Sequence, residues 1–168
     1  YTPAQISGVV FQDGETVVVQ SELQIADVGA PAGELSIDDR RLHGIEVTLT
    51  NLATGQTQRT LTNAQGEFSF EGLTAGTYQL NESQPMGFHD GLDHAGTAGG
   101  TVAAEQDQIT QIELAFGQVA TDYLFSEYRV KIVAPVEPQE PPLLPPPVIE
   151  IPNPTSNPVI QTNGFDIN

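Results

Sequence analysis

The stretch from Thr62 to Phe88, TNAQGEFSFEGLTAGTYQLNESQPMGF, is the part of this chain that most narrows what it can fold into. Apolar side chains fall on every second position in two runs, Glu67-Phe68-Ser69-Phe70-Glu71 and Thr77-Tyr78-Gln79-Leu80-Asn81-Glu82, and Gly66 and Gly76 stand just ahead of them. A period of two sends alternate side chains to opposite faces, so both runs read as half-buried strands. Between them Gly72-Leu73-Thr74-Ala75-Gly76 suits a hairpin connection, because glycine tolerates positive φ. Asn63-Ala64-Gln65-Gly66 is a similar turn signal ahead of the first run. The stretch is therefore a compact antiparallel unit, and the rest of the chain must supply the remaining strands.

Those strands can be found by the same signals. Ile6-Ser7-Gly8-Val9-Val10-Phe11 reads as a first strand ending at the turn Asp13-Gly14. GIEVTLTNL (44–52) alternates cleanly, and QTQRTLT (56–62) follows the turn Ala53-Thr54-Gly55. QITQIELAF (108–116) and VATDYLFSEYRVKIV (119–133) close the series. Residues 15–28 are β-branched and open to an added strand or hairpin, whereas 29–43 and 89–100 read as loops. No window carries a helical period with caps. Seven or eight short strands between glycine-rich turns indicate an all-β fold, an antiparallel β-sandwich of prealbumin or immunoglobulin type, over residues 1–133.

After residue 133 the composition changes. Ten of the 13 prolines lie between 135 and 158. Proline fixes φ and cannot donate to a ladder, so residues 134–168 are expected to be an extended, polyproline-like tail. Its last ten residues, VIQTNGFDIN, could form a short strand donated to a neighbour.

The balance of 22 acidic against 5 basic residues gives a net charge of −17. Nucleic acid and anionic membrane surfaces would repel such a chain, whereas cations would not. No run approaches the roughly 20 apolar residues of a membrane span. The absence of Cys excludes disulfides and thiolate chemistry. The chain opens at Tyr1 without Met, as a mature or excised piece of a longer protein would.

The ordered series ISGVVFQD, LHGIEVTLTN, QTQRTLTNAQGEFSFEGLTAGTYQLNESQPMGFHDGLDHAGTAGG and ITQIELAFGQVATDYLFSEY resembles the SdrD B-like, or Cna B-type, domains of bacterial cell-surface proteins. The resemblance covers roughly residues 5–128, with 12–40 as an apparent insertion. It implies a prealbumin-like sandwich used as a stalk or spacer, located outside the cell on a bacterial surface. In that pattern the aromatics of the opening stretch fill the core and its glycines shape turns.

The resemblance also bears on chemistry. Some relatives carry a Lys–Asn or Lys–Asp isopeptide bond promoted by a buried acid, whose place here is Glu82. The first strand has no Lys, and the single lysine, Lys131, lies beyond the last matching strand. Without the amine nucleophile no such bond is expected, and Glu82 is expected to be a structural, hydrogen-bonding acid. Related domains often bind calcium, a hard cation needing six to eight oxygen ligands. The candidates are Asp13 and Glu15, Asp38 and Asp39, and Asp90 and Asp93. Arg40 and Arg41 beside Asp38 and Asp39 could neutralise them instead. His89 and His94 in HDGLDH offer a weak transition-metal pattern that reads equally well as a turn.

No nucleophile with a partner base and no phosphate-binding glycine loop is present, so no catalytic role is expected. The expected function is an extracellular structural module, a subunit of a surface fibre or stalk assembled head to tail between copies through the proline-rich tail. The alternatives are an adhesin domain binding a surface protein or glycan, and an accessory domain of a carbohydrate-active enzyme.

Overall fold

In the computed structural model the described residues are 2–103, 107–137, 144, 147, 149 and 164. Tyr1–Pro135 form one compact unit and Val136–Asn168 a second. The strand expected at the end of the tail lies outside the described residues.

The first unit is a β-sandwich, as the alternation requires. One sheet holds β1 (Ala4–Gln12), β3 (Arg40–Arg41), β6 (Glu67–Leu73), β8 (His89–Asp90) and β11 (Val119–Tyr128). In it β1 is central, pairing with β11 on one side and with both β6 and β3 on the other. The second sheet runs β5 (Thr57–Leu61), β4 (Glu46–Asn51), β7 (Gly76–Glu82), β10 (Gln108–Leu114), β9 (Thr101–Ala103). A small third sheet joins β2 (Val17–Val19) to β12 (Val130–Ile132). Ile6, Val10, Phe68, Phe70, Tyr123 and Phe125 of the first sheet and Val47, Leu49, Tyr78, Leu80, Ile109 and Ile112 of the second form one buried cluster.

The strand list is longer than expected, because two- and three-residue strands such as β3, β8 and β9 are too short to show alternation. Residues 22–27, read as part of a β-branched segment, form a 3-10 helix. The sandwich is also not purely antiparallel. β1 and β11 pair in parallel from Gln5 opposite Val119 to Gln12 opposite Glu127, and β2 and β12 are parallel too. Direction of pairing between strands this far apart in sequence leaves no local signature, whereas hairpin pairing follows from a short turn.

Three bulges interrupt the alternation. In β6 the register shifts where Ala4 faces Leu73 and Ile6 faces Phe70, and Gly72 there has φ 71°. In β11 the register shifts where Ile6 faces Ala120 and Gly8 faces Tyr123, and Asp122 there has φ 65°. In β10 it shifts between Ile109 and Ile112, with Gln111 at φ 55°. Each extra residue returns the following apolar side chains to the core face.

Gly8 is fixed by close approach. A Cβ there would sit 2.1 Å from the Tyr123 carbonyl oxygen and 2.5 Å from the Phe68 ring, between two strands that both pair with it. Gly8→Ala should therefore lower unfolding stability by about 2 kcal/mol in urea titration. Gly29→Ala, with nothing near the added methyl, should leave the midpoint almost unchanged.

Candidate cation site

Three strands carry a polar residue where the alternation calls for a core residue. Gln12 follows Ala4, Ile6 and Val10 on the inward phase of β1; Glu82 follows Tyr78 and Leu80 in β7; Glu127 follows Tyr123 and Phe125 in β11. All three are buried, with exposures of 5%, 6% and 0%. Gln12 lies opposite Glu127 in the β1–β11 ladder and donates its side-chain amide to the Gly14 carbonyl at 3.1 Å. Asp107, just before β10, is equally buried, and its carbonyl accepts the Glu82 N–H at 2.9 Å.

These acids converge. Oxygens of Glu82, Asp107 and Glu127 lie within 4.8 Å of one another, and so do oxygens of Asp90, Asp93 and Asp107. Asp107 is shared, so five carboxyls from β7, β8 and the loop after it, the start of β10 and the end of β11 form one continuous patch. Two N–H donors orient it: Ser126 N–H donates to Asp93 Oδ1 at 3.0 Å, and Gln84 Nε2 donates to Glu127 Oε2 at 2.5 Å. Both oxygens of Glu82, Oδ1 of Asp107 and Oε1 of Glu127 are buried and meet no amide or hydroxyl donor; Glu82 pairs with Glu127, and Asp107 with Asp90, carboxyl to carboxyl. Glu82 is a hydrogen-bonding acid, as expected, but its partner is another carboxyl, Glu127, with which it shares a proton.

Like charges at such separations are costly. Two carboxylates 4.8 Å apart repel by ~3 kcal/mol at an effective dielectric of about 20. Burial, then the charges of Glu127 and Asp107, push the Glu82 carboxyl far up. Burial raises Glu127 and Asp107 as well, with neighbouring acids adding to it. Asp93 is pushed up to about 7, first by burial and against the lowering effect of its Ser126 hydrogen bond. A metal-free cluster therefore holds protons near neutrality.

The other sequence candidates are placed differently. Asp13, Glu15, Asp38 and Asp39 line one cleft beside the β1 end, together with Arg40. Asp13 Oδ2 accepts from Gly33 N–H at 2.8 Å; Asp39 accepts from Gly14 at 3.0 Å and Ser36 at 2.6 Å. Burial alone would raise Asp39, but these hydrogen bonds hold it below its usual range. The oxygens of Asp13 and Asp39 tie loops together, and among the described residues these four acids do not form a group converging as Glu82, Asp107 and Glu127 do. His89 stacks on Tyr128 at 5.2 Å and His94 Nε2 lies 2.9 Å from the Ala32 carbonyl, so both rings are engaged in packing the loop. Lys131 lies exposed on β12. Glu127 and Asp107 escaped the sequence reading, although an acid on the apolar phase of β11 was a usable signal.

Residues 35–115 match the family model described as carboxypeptidase regulatory-like domain, a broader class than the SdrD B-like label. No curated protein matches the chain. Among solved structures it is similar to the full-length major pilin SpaD from Corynebacterium diphtheriae, at 15% identity and a TM-score of 0.39, over 74% of this chain and 32% of that one. It is also similar to the shaft pilin SpaA from Lactobacillus rhamnosus GG, at 12% identity and a TM-score of 0.37, over 77% and 52%. The RrgB pilus protein from Streptococcus pneumoniae follows at 16% identity and a TM-score of 0.33, over 76% and 26%. The chain thus spans about a quarter to a half of the length of these structures.

The cluster predicts an inverted pH response in a chelator. Each raised carboxyl takes up its proton at higher pH folded than unfolded, so acidification favours the folded state. With EDTA present, the thermal midpoint should rise as pH falls from about 8, where Glu127 begins to protonate, and level off near its ordinary value of 4.5. Glu82→Gln, which keeps the shape and removes the titration, should flatten that slope; a midpoint falling with acidification over this range would contradict the assignment.

Proposed function

We infer that this chain is a non-enzymatic structural module of an extracellular bacterial surface fibre or stalk, with an SdrD B-like body. The ordered series of motifs over residues 44–125 supports the finer family reading. The observation that carries the function is the parallel pairing of β1 with β11. Parallel neighbours begin at the same end, so the body is entered at Ala4 at one pole and left at Tyr128 at the other. Nine residues of β1 span about 30 Å. Tension between those poles runs along the ladder and loads its hydrogen bonds together, as a spacer under load requires.

The proline-rich tail extends the reading. β5, an edge of the second sheet, is exposed along most of its length, and an extended segment can add to such an edge by main-chain hydrogen bonds. Residues 134–168 of one copy would supply that segment to the next. No helix among the described residues is long and apolar enough to cross a membrane.

Two measurements test this. In single-molecule pulling with cysteines introduced at Thr2 and Arg129, the body should resist a force well above that needed with handles at Glu46 and Leu61, where the β4–β5 hairpin unzips bond by bond. Equal or lower resistance would remove the mechanical reading. In sedimentation velocity the full chain should form species larger than a monomer that disperse on adding excess peptide of residues 134–168. A monomer at every concentration would remove the head-to-tail arrangement and leave the mechanical one standing.

A further inference from the structure

We propose that copies of the body stack pole to pole, the apolar turns around Phe116 and Val119 of one copy seating on the β2–β12 ribbon of the copy before it. This inference rests on the head-to-tail reading and gives it a contact surface. The ribbon continues the central ladder past the sandwich. Asp13 N–H donates to the Glu127 carbonyl, Val17 N–H to that of Arg129 and Val133 N–H to that of Val19, each at 2.8 Å. In a parallel ladder alternate residues of a strand bond its partner. Here those are Val17 and Val19, which leaves the N–H and C=O of Val18 on the open side of β2, and those of Val130 and Ile132 on the open side of β12. Among the described residues no third strand pairs with either. Parallel strands are normally covered on both faces, and a two-stranded ribbon is marginal alone in water. Yet Val18 is 63% exposed, and Val17, Ile132 and Val133 are exposed beside it.

The opposite pole offers a cover of matching character. Three turns meet there: Leu52 N–H donates to the Thr77 carbonyl, Leu114 lies opposite Gly76, and Gln5 N–H donates to the Gln118 carbonyl. Phe116 is 67% exposed on them, with Val119 and Leu52 exposed nearby. The charges complement as well. Arg129 and Lys131 are the charged residues of the ribbon, and Arg40 and Arg41 on β3 lie at the same pole, opposite Gln12 and Phe11. The acids flanking the turns, Glu71 and Glu113, are both exposed. Opposite charges across an apolar contact fix its partner and orientation. Because the two patches differ and lie at opposite ends of the body, a two-fold pair would leave one of each uncovered. A heterologous contact covers both, and it repeats from copy to copy.

Sedimentation velocity of the full chain and of its Phe116→Ser and Val18→Lys variants tests this. Each substitution removes an apolar anchor and should raise the apparent dissociation constant of the assembly by about tenfold or more. Both side chains are exposed, so the thermal midpoint of the body should stay unchanged. The equal mixture is decisive. Phe116→Ser keeps its ribbon and Val18→Lys keeps its turns, so together they should recover one intact junction per pair and associate more tightly than either alone. Val102→Ser, exposed on β9 outside both patches, should change nothing. The proposal is overturned by unchanged association in both variants, by a loss in Val18→Lys alone, which marks two ribbons pairing with each other, by an equal loss in Val102→Ser, or by a mixture no tighter than its parts. Excess peptide of residues 134–168 separates this contact from the tail arrangement. Dispersal by the peptide with inert variants removes the pole contact and leaves the tail; dispersal by the variants with an inert peptide does the reverse.

Discussion

The pairing of the first long strand with the last decides the rest of this structure. β1 and β11 lie side by side at the centre of one sheet, and closing that contact encloses everything between them. It requires glycine at position 8, because Tyr123 and Phe68 crowd that residue from both sides. It also brings Gln12 opposite Glu127, and so creates a polar end to an otherwise apolar interior. The core on the β6 and β7 side could form locally from its hairpin. The long-range ladder could not, and it is bought with the conformational freedom of over a hundred residues.

That polar end is where the energetics change character. Along most of the sandwich, burial of Phe, Ile, Leu and Val rewards folding. At the ends of β1, β7 and β11 the inward position passes instead to Gln12, Glu82 and Glu127, and Asp107 joins them. Removing these carboxyls from water while holding them together is unfavourable unless something neutralises them. Protons do so near neutrality, because burial and mutual repulsion raise these carboxyls well above their ordinary range. The same residues thus couple solvent composition to the stability of a body whose remaining core is indifferent to it.

Much of this was legible beforehand. Strands β1, β4, β5, β6 and β7 follow from alternation and turn glycines, since half-buried strands between tight turns leave a local imprint. The parallel direction of β11, the short strands β3, β8 and β9 and the 3-10 helix at 22–27 left none. The site divides similarly. Asp90 and Asp93 could be suspected from the Asp-Gly turn, but Glu82 drew attention only through a family resemblance. Glu127 and Asp107 become site residues only when distant segments meet. Asp13 and Asp39, also singled out in the sequence, accept backbone N–H groups that tie loops together, a role that composition does not reveal.

The bulges at Asp122 and Gln111 carry a consequence for how such a chain can drift. Losing one residue within a regular strand turns every later side chain to the wrong face, and such a deletion is not survivable in a two-layer fold. Losing the surplus residue of a bulge merely restores ordinary alternation, with Ile112 still opposite Tyr78 and Tyr123 still opposite Gly8. These two points are therefore where the length of the last long strands is free to change between generations, while the layers they belong to keep their inside and outside.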